Sequence, residues 1–145
     1  MAALLGISEY FDNLYNHHFE HNNISRRDKI KKLNDLISDH EERIANILLD
    51  FISTKKEINL IGKKRIINKN RAPTVSFTLE NMSSKKFSDK LIEKGIALRN
   101  DNFYAWRCLK ALGIDTDDGV VRASMVHYNN EHDVEKIINA IGEII

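Results

Sequence analysis

The chain has 145 residues, 42% of them hydrophobic, and its 22 basic and 21 acidic side chains leave a net charge of +1. That length supports one domain with a real core, and the balanced charge leaves no global field to hold a nucleic acid or an anionic membrane. A single cysteine, Cys108, excludes an internal disulfide or a multi-cysteine zinc site, and no apolar run reaches bilayer-spanning length, so the expected setting is reduced and cytoplasmic.

The first segment, MAALLGISEYFDNLY, repeats Leu4, Ile7, Phe11, Leu14 and His18 at three- and four-residue spacing. This predicts an amphipathic helix, and the segment lacks the basic flank of a secretion signal. Asn22 and Asn23 interrupt it, and Ser25 with Asp28 makes a capping-box-like restart. The stripe Ile30, Leu33, Leu36, Ile37, His40, Ile44, Ile47, Leu48 and Phe51 predicts the longest helix of the chain, long enough to bridge two bodies of structure.

After Ser53 the helical repeat gives way to a strand repeat. Ile58 and Leu60 alternate with Glu57 and Asn59 up to Gly62, and in APTVSFTLE the residues Val75, Phe77 and Leu79 oppose Thr74, Ser76 and Thr78. Ser83 and Ser84 open a helix through Phe87, Leu91 and Ile92, which Gly95 stops as a left-handed cap. IALR predicts a short strand, DNFYAWRCLKALG a helix ending at Gly113, and GVVRAS a strand. Asn130 caps a last helix with the stripe Val134, Ile137, Ile138, Ile141 and Ile145. The expected fold class is α+β: two N-terminal helices, the second long, then a small, mainly antiparallel sheet covered by helices on one face.

Candidate chemistry centres on Arg122, set between apolar residues in mid-strand, where burial is costly unless an anion meets the guanidinium. Two readings follow from the residues: a structural ion pair with one of the acids, or a fixed fork for a substrate carboxylate, whose two oxygens match the paired guanidinium donors. Other groups point to bland roles. His17, His18 and His21 read as an end-of-helix polar cluster before a metal site. The basic run from Lys55 to Arg71 lacks interleaved aromatics and reads as a solvated hairpin. Phe103, Tyr104 and Trp106 read as a packing cluster, and His127 as a packing or capping residue.

Four stretches resemble one family in order and at compatible spacing. RASMVHYNNEHDVEKII resembles the R-A-S-x-x-x-Y-N-T-x-E-E-[IV] signature of cysteine desulfurases and selenocysteine lyases, members of the class V aminotransferases. RAPTVSFTL resembles their R-x-P-x-[VI]-S-F strand, and GIALRNDNFYAWRCLKALGI the G-[IV]-x-[VI]-R-x-G-x-x-C-A segment that carries their active-site loop. MAALLGISEYFDNL resembles the helix that follows their phosphate-contacting threonine.

The resemblance implies the small C-terminal domain of a fold type I pyridoxal-phosphate enzyme. Residues 1–22 would form a helix on the large-domain side, and 23–145 the small domain with its linking helix. It implies that Arg122 binds the α-carboxylate of an amino-acid substrate, that Arg99 supports it, and that Asn100, Asp101 and Tyr104 belong to the active-site loop. The sequence departs from the pattern twice. Asn100 and Asp101 stand where R-x-G is usual, and Tyr104 replaces the persulfide cysteine, so sulfur transfer through that position is not available. No lysine lies in a Ser-x-His-Lys-type turn, so pyridoxal phosphate is expected in the complete enzyme and not covalently on this chain. The expected partners are an amino acid and a second copy of the chain; the rival reading is a non-catalytic interaction module that dimerises through its first helix.

Overall fold

A computed structural model describes residues 2–20 and 23–145. His21 of the expected histidine cluster and Asn22 of the expected Asn22–Asn23 interruption lie outside the described residues. In chain order the elements are α1 (Ala2–His18), α2 (Arg26–Ser53), β1 (Ile58–Ile61), β2 (Thr74–Leu79), α3 (Ser84–Glu93), β3 (Arg99–Asp101), α4 (Trp106–Ala111), β4 (Val120–Ser124) and α5 (Glu131–Ile144). The chain divides into two compact units, Met1–His40 and Glu41–Ile145, and α2 contributes to both.

In the first unit, α1 and the start of α2 are joined by polar contacts. Arg26 donates to the Ser8 hydroxyl and lies 3.6 Å from the Asp12 carboxylate. Lys29 sits 5.2 Å from the centre of the Tyr15 ring, a cation–π distance. Ser25 caps α2 as its sequence suggests, its hydroxyl accepting from the Asp28 amide at 3.2 Å. The expected apolar stripe of α1 is divided: Phe11 and Leu14 are half-buried, whereas Leu4 is 70% and Ile7 55% exposed.

The second unit is built on a four-stranded antiparallel sheet of order β1-β2-β4-β3. Alternation divides the sheet into two chemically different faces. Val75, Phe77, Val121 and Ala123 point into the core, where they meet Ile44, Leu48, Leu49 and Ile52 of α2, Phe87 and Leu91 of α3, and Val134 and Ile141 of α5. The Phe77 and Phe87 rings meet edge to face at 5.9 Å. Thr74, Ser76, Thr78, Arg122 and Ser124 occupy the opposite face. The sheet is thus covered by helices on one side, as its alternation requires.

Two elements differ from their sequence reading. IALR is not a strand; β3 begins only at its last residue, Arg99. The Ile96 amide is already used, donating to the Leu91 carbonyl at 2.9 Å to close the end of α3 beside Gly95 at φ +74°. Ile96 and Leu98 pack against the core from outside the sheet. The following helix is one and a half turns long, Trp106–Ala111, because residues 102–105 form a tight turn instead. Its predicted stop at Gly113 stands, with φ +71°.

The long β1–β2 connection is pinned to α2. The Asn46 side chain exchanges hydrogen bonds with both backbone groups of Ile66, at 2.8 and 3.0 Å, and the Glu42 carboxylate accepts from the Lys69 amide at 2.9 Å. Arg65 pairs with Asp50, and Arg71 donates to the carbonyls of Lys63 and Thr74. The basic run is therefore largely structural.

Gly119 is the tightest point of the sheet. Its φ is +70°, and a Cβ there would lie 2.3 Å from the Asp101 carbonyl carbon. The Gly119→Ala variant should lose about 2–4 kcal/mol from strain and overpacking, read as a lower urea midpoint at unchanged m-value.

At α5, Asn130 and Asp133 form a reciprocal capping box. Hydrogen bonds from the Asn130 amide, then from the Asn129 side chain, hold the Asp133 carboxyl below its ordinary pKa. A depressed carboxylate stabilises the fold above its unfolded pKa, and that contribution is lost as pH falls through the folded value. The Tm deficit of Asp133→Asn should therefore be full at neutral pH and shrink in acid below the usual carboxylate range.

Candidate carboxylate-binding site

The chemistry-bearing residues gather on the open face of β4. Val121 and Ala123 are fixed in the core, so the pleat turns Arg122 outward with Val120 and Ser124. Arg122 is half-buried. In register it stands between Ser76 of β2 and Arg99 of β3, and Thr74 faces Ser124 with their hydroxyls 3.5 Å apart. Two arginines and three hydroxyl-bearing residues therefore occupy neighbouring positions on one face of the sheet.

Like charges directly opposite on neighbouring strands repel. Among the described residues neither Arg99 nor Arg122 has an ion-pair partner. The Arg122 Nε is buried and makes no hydrogen bond. One contact meets the guanidinium: the Arg122 Cζ lies over the ring of Phe103, 3.8 Å from its centre.

Phe103 reaches that place through an unusual backbone. Phe103 and Tyr104 have φ of +51° and +59°, and the Ala105 amide donates to the Asn102 carbonyl at 2.8 Å. The Asn102 side chain accepts from the Tyr104 amide at 3.0 Å. Two successive side-chain-bearing residues in the left-handed region cost about 1–2 kcal/mol each. Gly119 completes the arrangement by letting β4 start against the backbone of Asp101 and Asn102.

The expected loop residues are dispersed by this geometry. Arg99 and Asp101 share the Arg122 face, while Asn100 pairs with Val121 and belongs to the core side. Tyr104 is 98% exposed and Trp106 also lies in solvent, so the expected packing cluster of Phe103, Tyr104 and Trp106 does not form. The turn points Phe103 inward and Tyr104 outward. Cys108 is exposed on α4. The His127 ring meets that of Tyr128 edge to face at 5.3 Å. Among the described residues no group of His, Cys, Asp and Glu is arranged to hold a metal ion, and no helix is long and apolar enough to cross a membrane. Phe103 and Gly119 are the site residues that sequence reasoning missed. The one visible signal for Gly119 was its place immediately before the strand that carries Arg122.

Such a face can bind a carboxylate through paired N–H donors.

Residues 30–137 match the family model described as aminotransferase class-V. Among curated proteins, an aminotransferase-like protein of Gibberella zeae is 34% identical over 112 residues, covering 77% of this chain and 28% of its own length. A probable cysteine desulfurase of Pseudomonas putida is 25% identical over 107 residues, covering 74% and 24%. The chain thus spans about a quarter of the length of these relatives. Among solved structures, a cysteine desulfurase of Thermococcus onnurineus superposes with a TM-score of 0.67 at 23% identity, over 81% of this chain and 29% of that one.

Proposed function

The chain belongs to the aminotransferase class-V family, and on that premise we propose that it is the C-terminal, substrate-carboxylate-binding portion of a pyridoxal-phosphate enzyme of the cysteine desulfurase type, acting on an amino acid. The observation that carries this reading is the pair of guanidiniums, Arg99 and Arg122, opposed in register without an acid between them. A substrate α-carboxylate would supply the missing charge. Arg122 binds it and fixes the direction in which the amino group points; Arg99 adds charge from the neighbouring strand. Asp101 and the turn at 102–105 flank the same edge and, in this reading, belong to the loop bordering the substrate, with Tyr104 at its outer side.

Four lysines of the chain are engaged in other contacts. Lys63 donates to the Asn70 carbonyl, Lys85 pairs with Asp89 and Lys94 with Glu143, and Lys55 lies over the Phe51 ring. The family works with pyridoxal phosphate, and in this reading the cofactor lysine comes from outside this chain. Residues 1–22 would then belong to the large-domain side and 23–145 to the small domain.

Charge-assisted hydrogen bonds are worth about 1.5–3 kcal/mol each, so in the complete enzyme Arg122→Ala should lower kcat/KM for the amino acid by roughly 10- to 100-fold or more. Steady-state kinetics over a substrate series checks this, and unchanged turnover would remove Arg122 from the carboxylate.

A second reading is favoured by α1, where Leu4, Leu5 and Ile7 are exposed on one short stretch. In this reading the chain is an interaction module that pairs through α1 with a second copy of itself. Size-exclusion with light scattering should then give a dimer that Leu4→Glu/Ile7→Glu converts to monomer. A monomeric unsubstituted chain sinks that reading and leaves the first untouched.

A further inference from the structure

We propose that Phe103 is the positioning residue of the site: its ring, held by the turn at 102–105, fixes the Arg122 guanidinium so that the terminal N–H groups face the open side of the sheet. The proposal rests on the reading of Arg122 as a carboxylate ligand only for its functional consequence; the positioning itself is a statement about two side chains.

The physical need comes from what Arg122 lacks. A guanidinium on a sheet is ordinarily oriented by a carboxylate that grips two of its donors. Here no acid does so, and the Nε that would anchor the stem is buried without an acceptor. Across the strand lies a second guanidinium on Arg99, which repels and does not orient. An aromatic face is the remaining device. Stacking constrains the plane of the guanidinium while using none of its N–H donors, so the in-plane edges stay available for a carboxylate. At 3.8 Å from Cζ to the ring centre, the contact is at van der Waals distance.

The turn supports the same assignment. Two left-handed residues in succession are disfavoured for any side chain but Gly, Asn and Asp, and Phe103 and Tyr104 are neither. The Asn102 side chain and the Ala105 amide stabilise this backbone, and Gly119 leaves room for it. The outcome of that strain is the location of one ring. Tyr104, which shares the conformation, points into solvent and touches nothing comparable.

The test uses the full chain labelled with nitrogen-15 and follows the Arg122 Nε–Hε signal, assigned by its disappearance in Arg122→Lys. Three variants are compared: Phe103→Tyr, which keeps the ring, and Phe103→Asn and Phe103→Gly, which remove it while tolerating positive φ. Amide spectra report folding, and having two ringless variants guards against the loss of one. The heteronuclear NOE of Arg122 Nε should be that of a rigid group in the unsubstituted chain and in Phe103→Tyr. In the ringless variants it should fall to the level of exposed Arg107. Acetate serves as the carboxylate probe, and its dissociation constant should rise about three- to tenfold when the ring is removed, the range expected for a partly exposed cation–π contact. An unchanged NOE, or an unchanged acetate affinity in a chain that binds acetate, overturns the proposal. If acetate shifts Arg122 in no variant while the NOE still falls, the carboxylate reading fails and the positioning role stands.

Discussion

Arg99 and Arg122 are paired in register across β3 and β4, and among the described residues neither has an ion-pair partner. Like charges at directly opposed positions of neighbouring strands are destabilising by a fraction of a kcal/mol to about 1 kcal/mol. A four-stranded sheet can carry that cost because its other face buries Val75, Phe77, Val121 and Ala123 completely or nearly so, each large side chain contributing about 1.5–3 kcal/mol. Slipping β4 by one residue would relieve the repulsion only by turning Val121 into water and Arg122 into the core. Register and repulsion are therefore coupled. The core fixes the arginine positions in opposition.

The same coupling explains why the backbone beside the site is irregular. β3 is three residues long, and the glycine immediately before its partner is pressed against it. A longer regular strand would carry residue 103 onward along the sheet edge, away from Arg122. The turn at 102–105 folds the chain back, and it does so with side-chain-bearing residues at positive φ. Strain of this kind persists where surrounding structure over-determines it, and here three supports converge: the Asn102 side chain, the 102–105 hydrogen bond and the space left by Gly119.

The regular parts of this fold were readable in the sequence because they are set by local repeats. The strict alternation of TVSFTL and VVRAS gave both central strands and their core faces, and Ser25, Ser83 and Asn130 marked helix starts that the hydrogen bonds bear out. Gly95 and Gly113 ended helices for the reason their φ values give. The edge region was not readable in the same way. Ile96 and Leu98 carry the apolar signal of a strand, yet the amide of Ile96 is consumed by the helix cap before it, and pairing falls to Arg99–Asp101, which have no apolar pattern at all. The contact between Phe103 and Arg122 spans 19 residues and depends on a register that alternation does not specify. Composition suggested an acid for Arg122; topology delivered another arginine.

The strength of a guanidinium–carboxylate pair depends on how much water reaches it. In a screened, wet setting such pairs are worth little, and the same geometry grows in value as solvent is excluded. The open face of this sheet is polar and half-buried, so what the chain itself contributes is direction more than affinity. Direction is set by elements that need no ligand: the pleat that turns Arg122 outward, the buried neighbours that hold the pleat, and the ring of Phe103 against the guanidinium plane. A donor fork already oriented loses less entropy on meeting its carboxylate than a mobile one would. Where a carboxylate serves to aim the rest of a bound molecule, orientation matters more than affinity, because a misplacement of about 1 Å at the reacting atoms can cost two orders of magnitude in rate.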